Sequence, residues 1–293
     1  MPSSAAEIVR LLDVEDMGGD SFVGIHPERS WLDKTYGGQL IAQALVAAAR
    51  TVDSSRYVHS VQATCLDAAR HGLPVRYEVE RIRDGRSFST RTVRAVQDNR
   101  PVLNLMASFH TGEPGLAHCA AMPAVPPPEQ LPTLQDVIRD ASALSDEEWR
   151  LEWAGLDLRY VSENLDSAKG RVPAVQQLWA RVNGRLPDDL SLHRYILVYI
   201  SDLMLLSTSL LPHGIMLGAP ELPRATISHT VWLHEDARAD EWLFIDQRSP
   251  WAGDARGLSF ANVFTADGRH VASLAQEGLI RPRGELRKRL GLA

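Results

Sequence analysis

The chain repeats itself. Gly85-Arg86-Ser87-Phe88 through Ala107-Ser108-Phe109 reads as a strand, a polar turn and an apolar strand containing Ala-Ser. Arg256-Gly257-Leu258-Ser259-Phe260 through Ala272-Ser273-Leu274 reads the same way. A long apolar helix candidate precedes each copy, over residues 37–52 and 195–211. Recurrence of a whole helix-plus-strands unit marks an internal duplication. Helix first and strands after argues α+β, because a parallel sheet would interleave the two. A length of 293 residues fits one such doubled domain.

In the first helix candidate, Ile41, Ala44, Leu45 and Ala48 fall at helical spacing, and Leu40, Ala42, Val46 and Ala47 make the opposite side apolar as well. A helix apolar all round is wrapped by other structure. Strand candidates that can do the wrapping follow it: residues 57–66, 75–82, 86–97 and 102–110. In the second copy they are 224–234, 241–247, 258–264 and 270–280, with Asp267-Gly268 as a hairpin turn. A single curved sheet leaves a bare edge, which a second copy beside it covers. Prolines between Pro114 and Pro132 fix an extended connector. The expected division is therefore an N-terminal unit over 1–112, a proline-rich linker over 113–150 and a C-terminal unit over 151–293.

Net charge is −6, which argues against a dedicated nucleic-acid binder. Two cysteines, Cys65 and Cys119, cannot form a disulfide framework, and no spaced Cys/His cluster suggests a metal. No secretory signal pattern and no run of about 18 uncharged apolar residues is visible, so the expectation is a cytoplasmic protein with no membrane partner.

Asp202 is the only charge between Tyr195 and Leu211. An ionised carboxylate is costly to bury, and a buried one with a raised pKa suits a general base. A solvent-facing or capping Asp at a break in the helix is the plainer alternative. Gln276 lies in a predicted interior strand, with Ala275 and Glu277 on the opposite face, so alternation directs it inward, where its amide needs partners; a solvent-facing strand glutamine is the plainer alternative. Thr226 and His229 sit on a strand where Thr and His are ordinary. Gly37 and Gly38 open the first helix, whose free N–H groups could hold an anion or polarise a carbonyl. Arg81, Arg83 and Arg86 share a turn able to meet phosphates or simply to lie in solvent. Gly19-Asp20-Ser21 imitates an esterase motif, but the residues before it are too acidic for the buried strand that motif requires.

Taken in order, several segments resemble the acyl-CoA thioesterase II family, the double hotdog thioesterases. They are Tyr36-Gly37-Gly38-Gln39, Val58-His59-Ser60, Asp84-Gly85-Arg86-Ser87-Phe88 and Met106-Ala107-Ser108-Phe109 in the first half. In the second they are Tyr199-Ile200-Ser201-Asp202-Leu203, His229-Thr230-Val231-Trp232 and Ala275-Gln276-Glu277-Gly278. The resemblance runs from about Phe22 to Arg283. It implies a double hotdog, with two antiparallel sheets each wrapped round a long central helix, and hydrolysis of acyl-CoA to fatty acid and CoA without a cofactor. It also implies catalysis by Asp202, Thr226 and Gln276. Gly37, Gly38, His59, Arg83, Gly85, Arg86, Ser87 and Phe88 become the expected substrate-binding residues, and a homo-oligomer the expected assembly. Two positions depart from the family pattern. Ser228 replaces an acidic residue, and Gln62 to Arg70 replaces an aromatic-rich strand followed by Arg-Pro-Gly. The rival from another class is a hotdog that binds acyl-CoA without turning it over.

Overall fold

A computed structural model describes residues 2–26, 34–138, 153–161, 172–215 and 221–292. Within them, twelve strands form one continuous antiparallel sheet. They are β1 (Glu15–Gly18), β2 (Ser21–Gly24), β3 (Tyr57–Cys65), β4 (Val75–Asp84), β5 (Phe88–Gln97) and β6 (Arg100–His110), followed by β7 (Leu156–Tyr160), β8 (Val175–Val182), β9 (Arg224–Leu233), β10 (Leu243–Gly253), β11 (Arg256–Thr265) and β12 (His270–Ile280). Their order is β1-β2-β4-β5-β6-β3-β9-β12-β11-β10-β8-β7. Read from either end, this is the same path, which is the duplication expressed as topology.

The expected pair of sheets is fused. β3 pairs with β9 from Ser60↔Trp232 to Thr64↔Ser228, so the bare edge of each half becomes the other's neighbour. The first central helix, Gly37–Ala49, is buried from Gly38 through Ala48. Its polar side chains are satisfied inside the core. The Gln43 amide donates to the carbonyls of Leu11 and Ile25 at 2.7 and 2.8 Å, and its Oε1 accepts from the Tyr77 hydroxyl at 2.7 Å.

The second central helix is shorter than its apolar run. It spans Leu190–Ser201, Asp202 caps it, Met204 takes a positive φ of 60°, and a 3-10 helix continues over Leu206–His213. By length and composition residues 190–213 could cross a membrane, but 78% of the apolar window is buried within the fold.

In the expected linker, residues 113–127 have no regular secondary structure, and residues 139–150 lie outside the described ones. Met122, Val125 and Leu131 pack on Trp179, Phe244 and Phe264, and the Trp179 indole donates to the Pro126 carbonyl at 3.0 Å.

Candidate active site

The two central helices meet so that the C-terminus of the second faces the N-terminus of the first. Asp202 stands at that junction. A carboxylate at a helix C-terminus lies against the negative end of the dipole, and here the positive end of the other helix offsets it. Its Oδ2 accepts from the Gly38 N–H at 2.9 Å, across 164 residues of sequence.

Its Oδ1 accepts from two side chains of the sheet. The Thr226 hydroxyl on β9 donates to it at 3.0 Å, and the Gln276 amide on β12 donates to it as well. The same Gln276 nitrogen lies 3.2 Å from Thr226 Oγ1, to which it also donates. Thr226 and Gln276 come within reach because β9 and β12 are paired neighbours, with Thr226 opposite Gly278. Gln276 is 1% exposed, and Ala275 and Glu277 on either side are less buried, so the inward direction expected from strand alternation holds.

Burial pushes the Asp202 carboxyl up to about 6, against the opposing pull of Thr226, Gln276 and the Gly38 N–H. Asp202 taken as a whole residue is partly covered. Gln276 Oε1 is buried with no hydrogen-bond partner among the described residues.

The two glycines have separate reasons. A Cβ on Gly38 would lie 2.4 Å from the Tyr199 carbonyl oxygen and 2.6 Å from the Tyr36 ring. One on Gly37 would lie 2.7 Å from Asp202 Oδ2. The Gly38 N–H is committed to Asp202; the Gly37 N–H has no acceptor among the described residues and is the one left for a ligand oxygen. We expect Gly37→Ala to displace the carboxylate and lower turnover about tenfold with the melting temperature little changed. Turnover equal to the parent's would show that the close approach is incidental.

His229 is no competing base. It is fully buried and burial pushes it down to about 4, so it is neutral near pH 7. Its Nε2 lies 2.7 Å from Ser201 Oγ, which itself donates to the Val198 carbonyl, so the imidazole takes the Nε2–H tautomer. Cys65 ends β3, and burial together with the charge of Asp202 pushes its thiol up to about 12. It is not a thiolate nucleophile.

The other expected binding residues gather elsewhere. His59 Nε2 lies 2.8 Å from Ser108 Oγ and the ring stands edge-on to Phe88, which stacks on His110. Ser87 donates to Glu113 at 2.6 Å, and the Gly85 carbonyl accepts from Arg56 at 2.7 Å. Arg83 and Arg86 are exposed on the same β4–β5 hairpin. On β3, His59 lies about seven residues from the level of Thr226, or about 23 Å along the strand. These residues therefore occupy the opposite end of the sheet from Asp202. Ser21 opens β2 after a turn in which Asp20 pairs with Arg81, and there is no nucleophile elbow there.

Residues 27–110 match the acyl-CoA thioesterase N-terminal domain and residues 119–280 the acyl-CoA thioesterase C-terminal domain. Human acyl-coenzyme A thioesterase 8 is 34% identical over 287 residues, covering 94% of this chain and 88% of that one. The crystal structure of an acyl-CoA thioesterase II from Mycobacterium marinum is 37% identical, has a TM-score of 0.78 and covers 95% of this chain and 99% of that one. The chain belongs to the acyl-CoA thioesterase II family. A hot dog fold protein from Alicyclobacillus acidocaldarius, 18% identical with a TM-score of 0.77, shares the fold. This thioesterase is thus a double hotdog and a thioester hydrolase.

Two features of the thioesterase escape local sequence signals. Tyr36 donates to the Tyr199 carbonyl at 3.0 Å and so ties the two helices together beside Asp202. Arg91, 1% exposed, bonds Thr51 at the C-terminus of the first helix and pairs with Asp84. At Ser228 the strand faces Thr64 on one side and Glu277 on the other, and Glu277 pairs with Arg256 at 2.9 Å.

Proposed function

We propose that this acyl-CoA hydrolase works through a water molecule deprotonated by Asp202 and held by Thr226 and Gln276. The observation that carries the reading is the convergence of two side-chain donors on one oxygen of a carboxylate whose pKa is raised to about 6. A carboxyl titrating there is ionised at neutral pH yet basic enough to take a proton.

The Gln276 nitrogen donates within the trio, so its Oε1 is what remains for the water. A water donating one hydrogen to Asp202 and the other to Gln276 Oε1 directs a lone pair toward a thioester carbon. As the new C–O bond forms, one proton passes to Asp202, and the Gly37 N–H is placed at the helix start to receive the carbonyl oxygen. Collapse breaks the C–S bond, and the proton on Asp202 goes to the departing sulfur. The acyl chain lies between helix and sheet.

Purified protein with palmitoyl-CoA and a thiol reagent tests the reading: release of CoA supports it, and binding without turnover supports the non-catalytic alternative. The pH dependence is a second check. The base must be ionised, so kcat/KM should fall tenfold per pH unit below about 6 and level off above it. A profile flat through pH 6 would remove Asp202 as the base.

A further inference from the structure

A cavity of about 1150 Å³ opens at the same end of the sheet as Asp202, although Asp202, Thr226 and Gln276 do not line it. Its floor is apolar: Leu210, Leu222 and Ile280 are buried there. Its rim carries Arg256, Arg281, Arg287 and Arg289, with Asp254 as the one carboxylate side chain among the described residues. Arg256 is engaged by Glu277 at 2.9 Å and approaches Asp254 at 3.7 Å. Arg281 and Arg289 are exposed and make no ion pair among the described residues.

The fold fixes this rim in place. The Arg283 N–H donates to the Glu221 carbonyl at 2.9 Å, and the Glu221 carboxylate accepts from the Glu285 and Leu286 N–H groups at 3.1 and 2.8 Å. Leu286 is buried beneath the short helix Gly284–Arg289. In a chain of net charge −6, residues 281–289 hold five basic side chains and one acidic one.

A flat basic patch would take any polyanion. Guanidinium groups over an apolar floor select a molecule with several phosphates and an apolar surface of its own. Ile280 and Gln276 lie on one strand, four residues or about 13 Å apart, and Leu210 lies on the 3-10 helix Leu206–His213 that comes after Asp202 in the chain. Resting on the reading that the thioester is cleaved at Asp202, the geometry points to this cavity as the seat of the adenosine phosphate end of CoA. The pantetheine arm, a long linear chain, bridges the two. The arginines of the β4–β5 hairpin stand at the far end of the sheet.

The test compares the parent with the Arg281→Ala/Arg289→Ala pair on palmitoyl-CoA and on S-palmitoyl-pantetheine, which lacks the nucleotide. A charge-assisted hydrogen bond to phosphate is worth about tenfold or more in affinity. KM for palmitoyl-CoA should rise about tenfold with kcat retained, the rise being confined to the nucleotide-bearing substrate. The Arg281→Lys/Arg289→Lys pair, which keeps the charge, should recover most of it. An unmoved KM, or an equal rise on both substrates, overturns the assignment. A binding readout keeps it separate from the hydrolase reading: 3′,5′-ADP alone should raise the melting temperature of the parent and not of the alanine pair. Absence of that shift overturns the nucleotide seat even if hydrolysis is seen; its presence without hydrolysis sinks only the catalytic reading.

Discussion

Asp202→Asn should lower palmitoyl-CoA hydrolysis about 10²-fold or more, the scale expected when a general base is lost. The asparagine is nearly isosteric, and its Oδ1 can still accept from Thr226 and Gln276 as the carboxylate does. It cannot accept a proton, and its Nδ2 sets a donor against the Gly38 N–H. The two effects separate in measurement. Far-UV circular dichroism should match the parent, because the helix end and both strands keep their packing. The residual activity should lose its fall below pH 6, since the group that titrates there is gone. Near-normal turnover by the variant would exclude Asp202 from the mechanism.

Asp202 was legible because a lone charge in an apolar run must be explained. The two sequence readings of it, a costly buried carboxylate and a residue at a helix break, describe one arrangement. The break after Ser201 puts the carboxylate at the helix end, and the opposing helix supplies the N–H that compensates it. Strand alternation alone set the inward direction of Gln276; its meeting with Thr226 followed only from the family resemblance, because pairing between β9 and β12 leaves no local period to read. The same reason hides the β3–β9 joint, Tyr36 on the Tyr199 carbonyl, and Gly38 against Asp202. These contacts join residues far apart in the chain, and sequence pattern reports only near neighbours.

The duplication also conceals how its halves diverged. The C-terminal ends of the two central helices are compensated differently. At one, Asp202 sits against a helix C-terminus and is held by donors. At the other, the buried Arg91 guanidinium bonds Thr51 at the C-terminus of the first helix, where a cation complements the dipole. One end holds a carboxylate and the other a guanidinium. The carboxylate thus comes from the second half, while His59 and the β4–β5 hairpin of the first half lie toward the arginine end.

Gln276→Ala should reduce kcat about 10²-fold while leaving KM for palmitoyl-CoA nearly unchanged. In the proposed mechanism the amide nitrogen holds Asp202 and Thr226, and the otherwise unpartnered Oε1 takes the water. Removing it loosens the nucleophile without touching the CoA, and a small misplacement of a reacting group costs about this much in rate. A second consequence follows from charge. One of the donors that stabilise ionised Asp202 is lost, so the carboxyl moves up from about 6 and the acid limb of kcat/KM shifts to higher pH. A merely structural glutamine would lower the melting temperature and leave that limb in place. The pH profile therefore decides between them: an unshifted limb with kcat retained would reduce Gln276 to a packing residue of β12.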